Sequence, residues 1–311
     1  MMPADGLYLY RKNRKKELLM TKMLVNFLCC FVPSQKVREK IRNKLVKSKE
    51  RRKKLLDYGC TIEGDIALIK ENIRVDVSDY RACDHIEEIF LAGAYDVSCK
   101  DDSIVIDVGM NRAIASLFFA AQKNIAKIYA FEPFEPTLAL AKKNLDLNPE
   151  LNKKILIFAY GLGEKDTILE IPYSINSSGR MSTTHAVSVK RNVTTETVIV
   201  KDAAQMLAPI FEENKRSRII VKCDCEGAEF EIFERLDEEK LVRKIDVVLM
   251  EYHFEKPDRL IKIFTDAGFA VNVQKMDKKE HIRGYLYATK MREMTTNSNL
   301  RQICTFQKRF C

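Results

Sequence analysis

The chain of 311 residues contains no tryptophan and only four histidines, and it lacks an apolar run of the roughly 18 residues that a transmembrane helix needs. Its longest early apolar segment, Met23–Val32, is too short to span a bilayer and ends at Pro33 without a small-residue cleavage site. We therefore expect neither a membrane-spanning helix nor a secretory signal, and we expect the protein to act in the cytoplasm.

The cysteines also lack a pattern that would define a binding site. None of the nine cysteines has CxxC spacing; Cys29 and Cys30 are adjacent, and one residue separates Cys223 from Cys225. This spacing favours free thiols in a reducing compartment over a disulfide framework or a zinc site. We predict no metal ligands, and the sequence leaves the need for a metal open.

Positive charge is concentrated near the N-terminus. Seventeen Lys and Arg residues against three Glu lie between Arg11 and Lys54, whereas the whole chain carries only +9. The main body is therefore slightly acidic, which argues against nucleic acid as its partner. Apolar residues Val37, Ile41 and Leu45 form a helical stripe, so residues 23–54 either contact an anionic membrane surface or dock one face of a solvated helix on the protein.

From Ser103 onward, apolar strands alternate with helices. The predicted strands are Ile104–Ile106, Lys127–Phe131, Lys154–Ala159, Ile168–Pro172, Arg218–Cys223, Ile245–Met250, Phe269–Gln274 and Gly284–Thr289. The predicted helices are Ile86–Ala92, Ala113–Lys123, Pro136–Leu147, one after Asp202, Ala228–Leu236 and Pro257–Ala267. This alternation predicts a doubly wound, mostly parallel α/β sheet, with the last two strands pairing antiparallel because no helix separates them.

The stretch Ile104–Glu132 has the order of parts of a nucleotide-type cofactor site. Asp107, Gly109 and Asn111 follow the first strand, and Glu132 with Pro133 ends the second, where a ribose needs an acceptor. Neither a G-x-x-x-x-G-K-[ST] loop nor a G-x-G-x-x-G fingerprint is present. A cofactor with a ribose and a carboxylate but no phosphates therefore fits best.

Two further strand ends carry ionisable groups. Asp224 and Glu226 follow Arg218–Cys223, where they can accept a proton from a hydroxyl nucleophile, although Glu226 is equally suited to capping the next helix. Glu251 and His253 follow Ile245–Met250 on one strand face, and His253 is either a base or substrate-orienting group or a surface histidine. We expect Lys222 to form a salt bridge, and we expect the polar stretch Tyr173–Thr197 to be either a substrate lid or a surface loop.

The motifs DVGMN, AFEP and KCDCEGAE, in that order, resemble those of the FkbM-type methyltransferases over about residues 100–290. The resemblance implies a Rossmann-like class I methyltransferase fold that binds S-adenosylmethionine. It places Asp107, Gly109 and Asn111 along the methionine part, Glu132 on the ribose, and Ala159–Gly163, which includes Gly161, beside the adenine. The implied organisation is a basic helical extension (1–56), a methyltransferase domain (57–290) and a flexible tail (291–311).

One position departs from the family pattern. Ala113 stands where the family usually has a second glycine, and a positive φ there would cost about 1 kcal/mol or more. The resemblance points to O-methylation of a sugar hydroxyl in a surface glycan or glycolipid precursor, and no N-P-P-Y-like tetrapeptide favours an amine. The alternatives are an RNA methyltransferase, motivated by the basic extension, and a non-catalytic scaffold, motivated by Ala113. The sequence does not define the oligomeric state.

Overall fold

The computed structural model describes residues 35–97, 101–175, 181–185, 193–276 and 282–291. These residues form two compact units. One contains the described residues up to Lys70 together with Asp76–Glu87, and the other contains Glu71–Val75 and the described residues from Glu88 onward. The N-terminal part of the predicted membrane-contacting segment, residues 23–34, and the predicted tail from residue 292 lie outside the described residues.

The first unit is built on the basic helix α1 (Gln35–Asp57), followed by strands β1 (Thr61–Glu63) and β2 (Ile66–Ile69), which pair antiparallel, and by helix α2 (Tyr80–Ile86). Several cations of α1 have partners within the unit. These ion pairs are Arg51–Asp84, Arg52–Asp65 at 2.5 Å and Lys54–Glu87 at 3.0 Å. The positive charge that α1 offers to an external partner is therefore smaller than the sequence suggests. Strand β3 (Ile73–Asp76) precedes α2 in the chain.

The second unit contains a seven-stranded sheet in the order β12-β13-β11-β10-β4-β5-β6. The strands are β4 (Ser103–Val108), β5 (Ile125–Phe131), β6 (Ile155–Phe158), β10 (Arg218–Cys223), β11 (Val247–His253), β12 (Phe269–Lys275) and β13 (Arg283–Lys290). Five strands are parallel, and β13 runs antiparallel to both β11 and β12. The predicted mostly parallel α/β sheet and its antiparallel C-terminal pair are thus confirmed.

The described residues of this unit contain six α-helices. They are α3 (Ile114–Ala120), α4 (Glu135–Asp146), α5 (Pro149–Asn152), α6 (Ala203–Glu213), α7 (Glu229–Glu238) and α8 (Asp258–Asp266). Helix α3 ends three residues before the predicted Lys123, because the chain must turn to begin β5 and the N–H of Gln122 bonds to the carbonyl of Phe119. The helix predicted over Ile86–Ala92 is present as a wider helical turn over Glu87–Leu91, which follows α2 directly because α2 ends at Ile86.

A separate three-stranded sheet contains β7 (Gly161–Gly163), β8 (Thr167–Tyr173) and β9 (Thr194–Asp202) in the order β7-β9-β8. The polar stretch predicted to reach Thr197 therefore ends earlier, at the start of β9. The strand forms there because Val198 and Val200 pack in an apolar cluster with Phe134, Tyr173 and Met181. Within the predicted lid, residues 176–180 and 186–192 lie outside the described residues.

The core follows the central strands. Every residue of β4 and β11 is buried, as the near-continuous apolar runs of a parallel sheet with helices on both faces require. Parallel strands bring their carboxyl ends to one edge, so the ends of β4, β5, β10 and β11 meet. Within the described residues, no helix combines the length and hydropathy needed to cross a membrane.

Candidate active site

The turn between β4 and α3 is held by the carboxylate of Glu132 at the end of β5. One carboxylate oxygen of Glu132 accepts the backbone N–H of Asn111 at 2.9 Å, and the other accepts the N–H of Phe134 at 3.1 Å. Glu132 is buried, and burial raises its pKa to about 7 although both backbone hydrogen bonds favour the ionised form. Glu132 therefore fixes the turn that follows the first strand, and both of its oxygens retain capacity for further hydrogen bonds.

Gly109 is required for contact between two chain segments. Its φ is +79°, and a Cβ at this position would lie 1.9 Å from the carbonyl oxygen of Asp224. The sequence predicted that Gly109 allows a ligand to approach the backbone. In the structure the closest approach is instead made by the end of β10, which lies beside β4 in the sheet.

Asp107 serves this turn from below. Its carboxylate is fully buried, accepts the hydroxyl of Ser116 at 2.6 Å and lies 3.0 Å from the ammonium of Lys222. Lys222 also donates to the carbonyl of Gly109 at 2.6 Å, so the predicted salt bridge is present and ties β10 to the turn. Asp107 is not among the residues that border the cleft described next, so the structure gives it a supporting position behind the turn.

A cleft with about 580 Å³ of empty space, part of it open to solvent, lies at the carboxyl edge of the sheet. Seven of the predicted site residues border it: Gly109, Asn111, Glu132, Pro133, Gly161, Asp224 and Glu226. The structure thus brings to one cleft five of the six residues predicted for the donor, all but Asp107, and two of the four predicted for the acceptor. Met181 and Thr183, which sequence reasoning did not single out, border it as well.

Glu251 and His253 belong to β11, which ends three residues later than predicted. The strand continues because Glu251 and His253 pair with Tyr285 and Arg283 of β13. Each of the two residues is only 6% exposed, so the alternative of a surface histidine is wrong. Their predicted contact with the acceptor stays a prediction.

His253 lies among three carboxylates. Its Nδ1 is 3.2 Å from Glu229, and its Nε2 is 3.6 Å from Glu251 and 3.8 Å from Glu226. Burial lowers the pKa of His253, but the hydrogen bonds to Glu229 and Glu251 outweigh burial and raise the pKa to about 12. An imidazolium at neutral pH is not a base. The structure therefore favours the orienting role over the base role for His253.

Glu229 is the residue of this cluster that sequence reasoning missed. It is fully buried at the start of α7, and its two oxygens accept the N–H groups of Cys225 at 3.0 Å and Gly227 at 2.8 Å. It thus satisfies the turn that precedes α7, a function that the sequence analysis considered for Glu226. The second glutamate of the EGAE motif was the available signal, because an acid at a helix start can bond preceding amides.

Asp224 and Glu226 are the two predicted acceptor-side acids that border the cleft. Glu226 has a positive φ of 56°, and burial raises its pKa to about 8 against the opposing effect of His253. Asp224 accepts a hydrogen bond from the buried phenol of Tyr95 at 3.3 Å, a second residue that the sequence did not indicate. Because its pKa lies near neutrality, Glu226 is suited to proton transfer from a hydroxyl group.

Asp224, Glu229 and His253 also bring one potential metal-ligand atom each within 4.8 Å of one another. A metal-bound imidazole must be deprotonated. The surrounding carboxylates hold His253 protonated, and both oxygens of Glu229 already accept backbone N–H groups. In the structure His253 and Glu229 form a buried ion pair beside Asp224.

The donor half of the cleft contains one unsatisfied polar atom. Asn111 Oδ1 is buried and has no hydrogen-bond partner, although Asn111 borders the cleft. A buried acceptor without a partner costs free energy until a donor reaches it. The amino or hydroxyl groups of a bound nucleoside cofactor would supply such a donor, so the residues present fit S-adenosylmethionine.

Ala113 adopts the left-handed conformation with positive φ that its place in the family pattern suggested. Its φ is +61°, it is fully buried, and it stands directly before α3. The methyl group strains the backbone at this turn by about 1 kcal/mol. The cleft forms nonetheless, with Asn111 and Glu132 on its border.

A seven-stranded, mostly parallel sheet with a cleft at its carboxyl edge defines a Rossmann-like α/β fold. Residues 107–271 match the methyltransferase FkbM domain, so the chain belongs to the FkbM methyltransferase family. The protein is a methyltransferase, and its cofactor is S-adenosylmethionine.

Three known proteins illustrate the similarity. The chain is 28% identical to Methyltransferase 1 of Beauveria bassiana over 61% of its own length and 82% of that protein, and 27% identical to Methyltransferase sdnD of Sordaria araneosa over 65% and 89%. A crystal structure of methyltransferase FkbM from Methylobacillus flagellatus aligns at 14% identity and a TM-score of 0.36, covering 62% of this chain and 45% of that one.

Proposed function

We propose that this methyltransferase methylates a hydroxyl group of a sugar in a surface glycan or glycolipid precursor. The observation that carries the proposal is that Asp224 and Glu226 border the same cleft as the donor residues Asn111 and Glu132. Carboxylates at this place hydrogen-bond hydroxyl groups and accept their protons.

We assign the cofactor contacts to the donor half of the cleft. Glu132 would accept the ribose hydroxyls, Asn111 Oδ1 would accept a further donor group, and Gly161 offers a wall without a side chain. When bound, S-adenosylmethionine supplies an electrophilic methyl group. Holding the acceptor oxygen in line with that group is the largest contribution that the protein can make.

We assign the proton transfer to the acceptor half of the cleft. Glu226 would accept the proton that the acceptor hydroxyl loses when it is methylated. The raised pKa of Glu226, about 8, makes it a stronger base than an ordinary carboxylate. His253, held protonated, orients Glu226 and Glu251 around the site, and Tyr95 orients Asp224.

The test combines binding and turnover. Calorimetric titration of the full chain with S-adenosylmethionine should show saturable binding, and surface glycans of cells that carry the protein should gain one CH₂ unit relative to cells that lack it. Absence of binding at millimolar cofactor would support the scaffold alternative and refute both enzyme alternatives. Methyl incorporation into RNA and not into glycans would refute the sugar acceptor.

Glu226→Gln separates chemistry from binding. We expect kcat to fall about 100-fold while the affinity for S-adenosylmethionine stays within about twofold. In the wild type, the rate should rise as the pH passes through about 8, where Glu226 becomes ionised. Glu150→Gln, on exposed helix α5, is the matched control. A Glu226→Gln enzyme with the wild-type rate would eliminate Glu226 as the base.

A further inference from the structure

Two aromatic rings stack beside the cleft. The rings of His185 and Phe254 have centroids 4.3 Å apart and an interplanar angle of 14°. His185 comes from the short described segment Met181–His185 between β8 and β9, and Phe254 directly follows β11. We call this pair the aromatic platform.

The platform lies against the turn that carries the proposed base. A Cβ at Gly227 would meet His185 Nδ1 at 2.7 Å and Phe254 Cδ2 at 2.9 Å, so only glycine leaves room for both rings. Gly227 directly follows Glu226, which borders the cleft. The two rings therefore lie against the residue that directly follows Glu226.

The His185 side of the platform is held by its own hydrogen bonds. Ser182 Oγ accepts the backbone N–H groups of Thr184 at 3.2 Å and His185 at 3.0 Å, and Thr184 Oγ1 lies 2.8 Å from His185 Nδ1. At one end of the segment, Met181 is buried in an apolar cluster. The ring of His185 is thus fixed by a compact turn.

The Phe254 side carries backbone strain. Phe254 has a φ of +65°, an unfavourable conformation for a bulky residue, and its N–H bonds to the carbonyl of Ile282 at 2.8 Å. Strain of this kind costs about 1–3 kcal/mol and concentrates at binding and catalytic sites. Phe254 is nevertheless 39% exposed, so packing in the core does not account for its position.

We propose that the aromatic platform is an acceptor subsite that packs against the apolar C–H face of a sugar ring, an inference that rests on the proposed O-methylation. Such packing buries apolar area on both partners while the ring hydroxyls stay at the edge. A sugar on the platform would direct a hydroxyl toward Glu226. Met181 and Thr183, on the same segment as His185, border the cleft and join the donor half to this subsite.

The absence of tryptophan from the chain provides a direct assay. Phe254→Trp places a single tryptophan in the platform, and its fluorescence can be followed during titration with methyl glycosides of common hexoses in the presence of S-adenosylhomocysteine. We expect a saturable change in emission. Ile168→Trp is the control, because Ile168 is 70% exposed on β8 and should give no saturable response. A Phe254→Trp reporter that responds to no glycoside overturns the subsite.

Kinetics then separate this subsite from the proposed function. His185→Ala should raise the KM for the glycoside that accepts the methyl group about tenfold, while the affinity for S-adenosylmethionine stays within about twofold of the wild type. His185→Phe should recover most of this loss because it retains a stacking ring. If the wild type methylates glycosides and His185→Ala leaves their KM unchanged, the subsite is wrong and the proposed function stands. If the wild type binds S-adenosylmethionine but methylates no sugar, the proposed function fails, and the reporter titration alone decides the subsite.

Discussion

Glu132 supports both the stability of the turn after β4 and the proposed binding of the cofactor, and two substitutions test these properties. Its carboxylate accepts the backbone N–H groups of Asn111 and Phe134, and it borders the cleft where the ribose of S-adenosylmethionine would bind. Glu132→Ala removes both functions. Glu132→Gln keeps the volume and one acceptor oxygen but directs an NH₂ group at one of the two backbone donors.

The hydrogen-bond pattern sets the expected magnitudes. A hydrogen bond to a charged group contributes about 1.5–3 kcal/mol, and Glu132 is only 5% exposed, so water cannot replace it readily. Glu132→Ala should lower the free energy of unfolding by about 3 kcal/mol or more. Loss of the ribose contacts should weaken binding of S-adenosylmethionine by roughly 1–3 kcal/mol in either variant.

The pH dependence provides an independent signature. Burial raises the pKa of Glu132 to about 7, whereas a glutamate in an unfolded chain has a pKa of about 4.3. The folded, ligand-free protein therefore holds this proton more tightly. The resulting stabilisation of about 4 kcal/mol is fully present below about pH 4 and is lost as the pH rises through about 7, with about 1.4 kcal/mol of it lost between about pH 6 and about pH 8. Because the ionised carboxylate is the better acceptor, affinity for S-adenosylmethionine should rise over the same interval.

Urea unfolding and titration calorimetry, each at about pH 6 and about pH 8, measure both effects. The difference between wild type and Glu132→Gln isolates this carboxyl from the other buried acids. Glu135→Gln is the matched control, since Glu135 is exposed at the start of α4. The reasoning is refuted if Glu132→Gln binds S-adenosylmethionine as tightly as the wild type at both pH values.

Two further predictions concern the contacts between β10 and the turn after β4. Lys222→Met leaves Asp107 buried without its cation, and we expect about 3–5 kcal/mol less stability in urea unfolding; a loss below 1 kcal/mol would contradict the ion pair. Gly109→Ala places a Cβ against the carbonyl of Asp224, whereas Gly268→Ala imposes a similar φ strain in open space, so thermal unfolding and cofactor titration should show a much larger loss for Gly109→Ala. Equal losses in the two variants would mean that the clash is relieved without cost.

The parts of the fold that followed from the sequence are those with an uninterrupted apolar signal. Strands β4 and β10 are buried on both faces and are visible as apolar runs, and the end of β10 placed Asp224 at the carboxyl edge. Strand β11 was underestimated because Glu251 and His253 interrupt its apolar run. These two residues are buried because they pair with each other and with Glu229, a contact between distant segments that no local pattern contains.

The glycines show a second reason why part of the site could not be predicted. Sequence alone shows that Gly109 and Gly227 permit unusual backbone geometry, but it does not show which atoms occupy the free space. In the structure Asp224 approaches Gly109, and the rings of His185 and Phe254 approach Gly227. These contacts join segments more than 25 residues apart in the chain, so they depend on the completed sheet and not on the local turn.

These contacts have a consequence for catalysis. Lys222 donates to the carbonyl of Gly109, and the N–H of Asp224 bonds to the carbonyl of Val108, so the backbone that forms the donor turn directly holds the acceptor carboxylate. A change that moves one half of the cleft must therefore move the other, because direct hydrogen bonds and van der Waals contacts join the two segments. Variants of the donor turn should lower kcat together with cofactor affinity, whereas variants of the aromatic platform, which touch neither contact, should act on the acceptor KM alone.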